Sequence, residues 1–304
     1  MANTVDAPRI FQPEGLHLPP FLRRTLDGQL VIDKNYAGEG ARLGPYDTVM
    51  DFGTSRANLR GLVPEEERLT ANNRNLNVLG FWQPEIREAM DTITDLANDP
   101  SRSSENPDDR REYREHLAVV YKAMAKEVDD WVFAGGDSPL IFAPKNGGVF
   151  VQEVFEEKGH FFPTDFFNYR MSRVQDKDSG LMVGITYRKK ENPEISTYRR
   201  FVFADDCMAS DISAYATMEM IREALVKARV PLSQAEVLIA VSAATQRGLE
   251  SLLSPRTKFH FGFESIRAIT GVLAYQMDGH FYLQHSDGRY VVGDMGNWTQ
   301  PPTE

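Results

Sequence analysis

The stretch RFVFADDCMASDISA, residues 200–214, decides the fold of this chain. Its apolar run, residues 201–204, predicts a buried strand, and the sequence from 214 to 227 predicts a helix. Asp205 and Asp206 stand where that strand would end, before a short Ala/Ser turn. Carboxylates in this position accept hydrogen bonds from sugar hydroxyls, while turn amides and the helix dipole receive a phosphate. The pattern predicts a ribose phosphate site or, as the alternative, a buried strand followed by an aspartate helix cap.

Composition narrows the class of protein further. The 304 residues carry a formal net charge of -10, with a pI near 5.2, and an acidic chain is a poor general binder of nucleic acid. The sequence has no apolar run of about 18 residues and no signal-peptide pattern. Cys207 is the sole cysteine, so no internal disulfide is possible, and the six histidines lack ligand-like spacing. We therefore expect a cytoplasmic protein and predict no metal-ligating side chain.

Two segments carry basic groups or glycines suited to phosphates. Between Tyr169 and Arg200 the chain has eight basic and four acidic residues, although the whole chain is acidic. This segment is either part of a polyphosphate site or a solvated basic hairpin. The second segment, SPLIFAPKNGG at 138–148, predicts a strand, a glycine turn and a helix through Val154. Lys145 in that turn supplies a cation, unless the turn is an ordinary strand-to-helix connection.

The order of elements predicts an α/β fold with a doubly wound, mainly parallel sheet and an N-terminal extension. The extension, residues 1–105, is expected to be partly irregular, with a helix near 84–97. A long amphipathic helix with a buried face from Tyr113 to Trp131 opens the second unit, residues 106–304. Because ligands of such sheets bind at the carboxyl ends of strands, both motifs fall where a site is expected. The predicted strands are about 168–173, 182–188, 201–204, 237–242 and 259–263.

The sequence DDCMASDIS at 205–213 resembles the motif that binds 5-phosphoribosyl 1-pyrophosphate (PRPP) in type I phosphoribosyltransferases. Within that family it is most similar to uracil phosphoribosyltransferases, which read DPMLATGGS at this place. Other similar segments follow the family's order, and the resemblance covers about residues 106–304. They are YREHL at 113–117, PEISTYR at 193–199, VSAA at 241–244 with GLE at 248–250, and GRYVVGDMGN at 288–297.

The resemblance implies the fold of that family and a role for each matching residue. The acid pair would hold the ribose hydroxyls and count as catalytic, Mg²⁺ would bridge pyrophosphate, and the protein would be a homodimer. A ribosyl donor, PRPP or a relative, and a heterocyclic small molecule would be its partners. The residues implied are Asp205 and Asp206 as catalytic, Lys145, Asn146, Gly147, Arg173, Ala209, Ser210, Asp211, Ile212 and Ser213 as PRPP-binding, and Met208, Tyr290, Gly293, Asp294 and Gly296 as base-binding.

The chain also departs from the family, which marks it as a divergent member. Asp211 and Ile212 replace two loop glycines, and a carboxylate beside a bound phosphate repels it. The activity implied is transfer of a ribosyl phosphate group from PRPP to a uracil-like or other heterocyclic acceptor, including one of specialised metabolism. The alternatives are a diverged ribosyl-transfer or nucleoside-processing enzyme that no longer uses a 5′-phosphate, and a non-catalytic nucleotide-binding regulator.

Overall fold

The fold is taken from a computed structural model, which describes residues 9–10, 22–24, 30–32, 75–144, 148–158, 164–176, 180–187, 190–208, 212–245, 248–249, 252–253, 255–274, 276–277, 282–285, 288–293 and 295–299. The strands are β1 (Arg9–Ile10), β2 (Leu22–Arg24), β3 (Leu30–Ile32), β4 (Leu76–Val78), β5 (Leu140–Pro144), β6 (Asp165–Asp176), β7 (Gly180–Tyr187), β8 (Arg200–Met208), β9 (Glu236–Thr245), β10 (Ser265–Ala274), β11 (Gln276–Met277) and β12 (Leu283–Gln284). The helices are α1 (Leu79–Trp82), α2 (Pro84–Asn98), α3 (Pro107–Gly135), α4 (Gly148–Lys158), α5 (Ile212–Lys227), α6 (Pro255–Phe261) and α7 (Met295–Trp298), with 3-10 turns at Ile195–Thr197 and Leu232–Gln234.

A single large sheet organises these elements in the order β2-β3-β7-β6-β5-β8-β9-β10-β4. From β6 across to β4, neighbouring strands run parallel. β7 continues the sheet antiparallel to β6, and β1, β2 and β3 extend that wing. The chain leaves β5 toward β6 on one side and returns to β8 on the other, so the strand order reverses between β5 and β8. The doubly wound α/β class is therefore confirmed.

Helices cover both faces of the sheet and create two buried clusters. α2, α3 and α4 pack on one face, here called the α3 face, and α5 and α6 on the other, the α5 face. β5, β8 and β9 are buried on both sides, which explains why their sequences read as nearly continuous apolar runs. Complete burial of each large apolar side chain in these clusters contributes about 1.5–3 kcal/mol to folding.

The long helix α3 follows from local signals in the sequence. The Asn106 side chain caps it by accepting a hydrogen bond from the Asp108 amide at 3.0 Å, and Pro107 begins its first turn. Gly136 ends the helix with a φ of 84°, a conformation that glycine adopts without strain. The predicted face from Tyr113 to Trp131 is buried, so this helix was predicted correctly.

The residues just before α3 join the same sheet and core. β4 pairs parallel with β10, and α2 buries Ile86, Met90 and Ile93 against α3 and the sheet. The helix expected near 84–97 runs from Pro84 to Asn98. The division of the chain at residue 105 stays a prediction.

Three local expectations need correction. The segment 259–263 is not a strand: α6 continues to Phe261, Gly262 has a φ of 69°, and Phe261 and Phe263 stack in the α5-face cluster while Phe259 is 89% exposed. Alternating aromatic residues mimic a strand, but here the helix end places two of them in the core. The segments near 168–173 and 182–188 form one antiparallel hairpin instead of two units of a strand–helix alternation. Finally, β8 continues through both aspartates to Met208.

Candidate functional site

The candidate site lies at the carboxyl ends of β5 and β8, where the strand order reverses. In open α/β sheets this reversal leaves a crevice between the two strands, because their following connections diverge to opposite faces. Here α4 begins at Gly148 on the α3 face after β5, and α5 begins at Ile212 on the α5 face after β8. Two helix N-termini therefore face the same edge of the sheet, an arrangement that favours anionic ligands.

Asp205 and Asp206 lie in the last four residues of β8, in the middle of the sheet. Both residues are 8% exposed. The Asp205 Oδ1 atom accepts a hydrogen bond from the Asp206 amide at 2.9 Å, and the Asp206 Oδ1 atom accepts one from the Cys207 amide at 2.8 Å. Amide donors stabilise the ionised carboxylate and offset part of the cost of burying it.

The two carboxylates have different aromatic neighbours. On the α5 face, burial raises the pKa of the Tyr169 phenol well above its usual value, and the charge of Asp205 adds to that rise. The Tyr169 hydroxyl lies 2.9 Å from the Thr217 Oγ1 atom of α5. On the α3 face, burial likewise raises the pKa of the Tyr121 phenol, and the charge of Asp206 is the next largest cause. The charges of the two carboxylates therefore act on buried phenols on opposite faces of the sheet.

The alternation of side chains between the faces is interrupted once in each of β8, β9 and β10. In a regular strand, residues three positions apart point to opposite faces. Here each strand has such a pair in the α3-face cluster, and the three pairs lie at matching positions of the parallel register. The pairs are Ala204 and Cys207, Ala240 and Ala243, and Ile269 and Val272.

Close backbone packing accompanies this interruption. The Ser242 hydroxyl donates a hydrogen bond to the Asp206 carbonyl oxygen. On the next strand, a Cβ atom at Gly271 would lie 2.5 Å from the Ser242 carbonyl oxygen, which explains why glycine is needed there. The backbone beside the acid pair is thus fixed by contacts across three strands.

The C-terminal segment approaches the same place on the α3 face. Asn98 of α2 holds Tyr290 by two hydrogen bonds, accepting from its amide at 2.9 Å and donating to its carbonyl at 2.7 Å. The Tyr113 hydroxyl donates to the Val292 carbonyl at 2.6 Å, and its ring stacks on Trp298. The Met295 sulfur lies 3.9 Å from the Ser242 hydroxyl oxygen, which in turn contacts Asp206.

The candidate base-binding residues do not all lie on one face. Tyr290 and Gly293 belong to the C-terminal segment on the α3 face, and Gly296 lies in α7. Met208 instead packs in the cluster of the α5 face. Gly293 has a φ of 63°, and a Cβ atom there would lie 3.0 Å from the Ala97 Cβ atom.

The candidate PRPP-binding residues are only partly described. Ser213 is buried in the first turn of α5, where its carbonyl accepts a hydrogen bond from the Thr217 hydroxyl at 2.9 Å. Ile212 begins that helix, and Arg173 lies in β6, opposite Val183 of the hairpin. The candidates outside the described residues are Lys145, Asn146, Gly147, Ala209, Ser210, Asp211 and Asp294.

Sequence reasoning missed the polar groups that surround the acid pair. Tyr121 was assigned to the apolar face of α3, and neither Tyr169 nor Thr217 was singled out. The helical spacing of Tyr121 indicates burial but does not show what its hydroxyl meets. The helix expected near 84–97 stops one residue short of Asn98, which ends α2 and holds the C-terminal segment. Only contacts between distant parts of the chain identify these residues.

Within the described ranges, no helix has the length and apolar character to cross a bilayer. Over the same ranges, no group of three or more His, Cys, Asp or Glu side chains is arranged to hold a metal ion. Mg²⁺ binds through one or two carboxylates together with substrate phosphates, and does not require a cage of protein ligands. The Mg²⁺ that the resemblance implies would therefore be held mainly by the phosphates of its substrate.

Comparison with known proteins gives weak matches. No protein-family model matches the sequence. No curated protein matches it either.

Three solved structures illustrate the matches found. The chain is similar to an APRTase from Giardia lamblia complexed with 9-deazaadenine, at 14% identity over 49% of this chain and 78% of that one, with a TM-score of 0.32. A hypoxanthine-guanine phosphoribosyl transferase of L. donovani matches at 14% identity over 46% of this chain and 77% of that one, with a TM-score of 0.32. A hypothetical protein from Neisseria gonorrhoeae with bound ppGpp matches at 14% identity over 53% and 80%, with a TM-score of 0.33. At these TM-scores the likeness assigns neither a family nor an activity to the chain.

Proposed function

We propose that this protein is a phosphoribosyltransferase-like enzyme that transfers a ribosyl phosphate group from PRPP to a heterocyclic acceptor. The observation that carries the proposal is the buried pair Asp205 and Asp206 at the carboxyl end of β8, beside the reversal of strand order. An open α/β sheet binds ligands at this position, and adjacent carboxylates there suit two neighbouring sugar hydroxyls. The similarity of residues 205–213 to the PRPP motif indicates that the sugar is a ribose phosphate.

The chemistry asks the protein to position two reactants and stabilise charge. Pyrophosphate leaves C1 of the ribose as a ring nitrogen of the acceptor attacks, and positive charge develops on the sugar. Carboxylates that accept hydrogen bonds from the ribose hydroxyls orient the ring, and their negative charge favours that transition state. The 5′-phosphate would lie before the N-terminus of α5, whose dipole attracts anions.

The negative charge of pyrophosphate must be neutralised by cations in the site. Lys145 and Arg173 are assigned to it by the resemblance, which also implies that Mg²⁺ accompanies the pyrophosphate. When bound, Mg²⁺ neutralises part of the pyrophosphate charge and makes it a better leaving group.

The acceptor side of the proposal uses the C-terminal segment. Tyr290 and Gly293 are held against α2, and Met295 reaches the backbone contact between Ser242 and Asp206, so a base bound here would lie on the α3 face of the acid pair. A uracil-like acceptor, a homodimer and a cytoplasmic location are part of this proposal and come from the sequence.

The single cysteine permits a direct test of ligand binding at this site. Cys207 is partly exposed and its amide donates to Asp206, so a ligand at the acid pair should shield its thiol from modification. We expect PRPP with Mg²⁺ to slow reaction of Cys207 with a thiol reagent in a saturable manner. Asp206→Asn should lose at least about tenfold in affinity, because a hydrogen bond to a charged group contributes about 1.5–3 kcal/mol. Lys126→Gln, on an exposed part of α3, is the control and should bind as the wild type does.

Turnover is tested by release of pyrophosphate from PRPP with uracil and other heterocycles as acceptors. Product formation that requires both Asp205 and Asp206 supports the enzyme. Protection of Cys207 by PRPP or UMP without turnover for any acceptor would instead favour the nucleotide-binding regulator. If uridine protects Cys207 and no phosphorylated ligand does, the protein has lost the 5′-phosphate and the nucleoside-processing alternative is correct.

A further inference from the structure

The Tyr121 hydroxyl is a buried polar group that the proposed chemistry does not yet use. Tyr121 lies on the inner face of α3 with no exposed surface, and its ring meets the edge of Phe150 at a centroid distance of 5.6 Å. Among the residues that the structure describes, its hydroxyl has no hydrogen-bond partner. A buried hydroxyl without a partner costs about 1–3 kcal/mol, and such groups in folded proteins are almost always paired, often through water.

The residues around this hydroxyl indicate Asp206 as the group that it serves. Tyr121 packs in the same cluster as Ala204 and Cys207, the residues that flank the acid pair on the α3 face. Tyr113, two turns earlier on the same face of α3, uses its own hydroxyl on the Val292 carbonyl. The titratable groups that act on Tyr121 are Asp206, Tyr113, Cys207 and Asp205, and Asp206 acts most strongly.

We propose that Tyr121 is a positioning residue whose hydroxyl donates a hydrogen bond to one ordered water molecule, which in turn donates to the Asp206 carboxylate. The inference rests on the function proposed above and deepens it. The bond would keep Asp206 ionised and aimed at the carboxyl end of β8, where it accepts a ribose hydroxyl. Burial and the charge of Asp206 both raise the pKa of the phenol, which favours the protonated donor form of Tyr121.

Tyr121→Phe removes only the hydroxyl and keeps the ring against Phe150. In the variant the pKa of Asp206 should rise, since a donor to its ionised form is lost. Protection of Cys207 by PRPP, followed from about pH 4.5 to about pH 8 with dithiodipyridine, should then weaken about tenfold at neutral pH. Protection of Cys207 should also be lost on acidification. This loss, here called the acid limb, should begin at higher pH in Tyr121→Phe than in the wild type. Tyr113→Phe, whose hydroxyl bonds to a carbonyl, is the matched control and should leave the acid limb unchanged.

A measurement without ligand separates this inference from the proposed function. Unfolding equilibria of the wild type, Tyr121→Phe, Asp206→Asn and the double variant form a cycle at neutral pH. We expect the effect of Tyr121→Phe on the folding equilibrium constant to differ about tenfold between the wild-type protein and the Asp206→Asn variant. If Asp206→Asn does not fold, Asp206→Ala takes its place, because it also removes the ionised acceptor, and the same coupling is expected.

Each outcome bears on the inference. Coupling in the cycle together with a shifted acid limb supports the positioning role. Absence of coupling overturns it, whatever the ligand data show, and so does an acid limb identical in Tyr121→Phe and wild type. Coupling in a protein that PRPP, ribose 5-phosphate and UMP all leave unprotected would show that the pair is only structural. That last result would overturn both the positioning role and the proposed function, whereas the first two failures leave the function standing.

Discussion

Asp205 and Asp206 are adjacent in the sequence but differ in their neighbours. Asp205 lies near Tyr169 on the α5 face, and Asp206 lies near Tyr121 on the α3 face. The sequence between β8 and α5 holds a third acid, Asp211, which lies outside the described residues. In the sequence it stands where the resembling family has a glycine that grips phosphate.

The charge of Asp211 gives the sharpest prediction about the donor. A carboxylate close to a 5′-phosphate repels it, whereas it accepts a hydrogen bond from a 5′-hydroxyl. Asp211→Gly should therefore bind PRPP and UMP more tightly, by about a hundredfold if the site is partly dry, and uridine more weakly. Titration by protection of Cys207 measures all three.

The rival outcome for Asp211 is equally clear. Tight binding of PRPP or UMP by the wild type, without improvement in Asp211→Gly, would show that the carboxylate turns away from the phosphate as an ordinary residue before a helix. Asp137→Gly, in the loop before β5, controls for the change in net charge.

Gly271 gives a prediction that does not depend on function. In Gly271→Ala the new Cβ atom would meet the Ser242 carbonyl oxygen at 2.5 Å and the Val120 Cγ1 atom at 2.8 Å. Because backbone across three strands must move to relieve this contact, the free energy of unfolding should fall by about 1–3 kcal/mol or more. Denaturant unfolding measures it, and loss of Cys207 protection should accompany it.

Gly136→Ala is the comparison for Gly271→Ala. It has a φ of 84° and nothing within 4 Å of a new Cβ atom, so only backbone strain of about 1–2 kcal/mol is expected, without an effect on ligand binding. Equal losses of both stability and binding in the two variants would contradict the packing explanation for Gly271.

At the scale of elements, α2 holds the C-terminal segment in place. The Asn98 amide bonds to both backbone groups of Tyr290, and Thr94 donates to the Val291 carbonyl at 2.9 Å. The Val291 amide also donates to the Leu283 carbonyl of β12 at 2.9 Å, so side chains of α2 and α3 and the backbone of β12 together hold this segment. If the acceptor binds here, these side chains control acceptor affinity without touching the acceptor.

Asn98→Ala tests that dependence. It removes two hydrogen bonds and leaves the Tyr290 amide and carbonyl without those partners, so the segment 288–298 should open more often. We expect hydrogen exchange in that segment to be faster by about tenfold or more, while exchange in β8 and β9 stays unchanged. The variant should also raise the KM for the acceptor more than it raises the KM for PRPP. Thr92→Ala is the control, because that exposed hydroxyl bonds to the Glu88 carbonyl within its own helix. Equal exchange in Asn98→Ala and wild type would show that other contacts hold the segment.

In the whole molecule, the parallel side of the sheet and the helices of the α3 face depend on residues before α3. β4 completes the parallel side of the sheet, and α2 covers part of α3 and β10. A chain beginning at residue 106 would expose the apolar side of α3 that α2 buries. We expect such a chain to aggregate or to lose cooperative unfolding, because several large side chains, each stabilising by about 1.5–3 kcal/mol, lose their contacts.

A chain beginning at residue 75 is the comparison for this truncation. It keeps β4 and α2, and should unfold in one cooperative transition when followed by calorimetry and by circular dichroism. Cooperative folding of residues 106–304 alone would establish the division at residue 105 as a true domain boundary and would refute our expectation.

Features that depend on local pattern could be predicted from the sequence. Continuous apolar runs predicted β5, β8 and β9 because strands buried on both faces need no polar alternation. The spacing from Tyr113 to Trp131 predicted α3, and the Asp205–Asp206 pair marked the carboxyl end of a central strand. Turns rich in glycine and charged residues indicated a binding site at the same edge of the sheet. Turns and helix starts can be predicted in this way because they depend on the chemistry of neighbouring residues.

Only the tertiary structure decided what depends on long-range contacts. The sequence does not reveal that residues 76–98 join the sheet, that 165–187 is an antiparallel hairpin, or that Met208 and Tyr290 lie on different faces. Nor does it show that the charge of Asp206, far later in the chain, acts on the buried Tyr121 phenol. Helical or strand periodicity specifies that a side chain is buried, but its partner is chosen by packing among elements that are far apart in sequence.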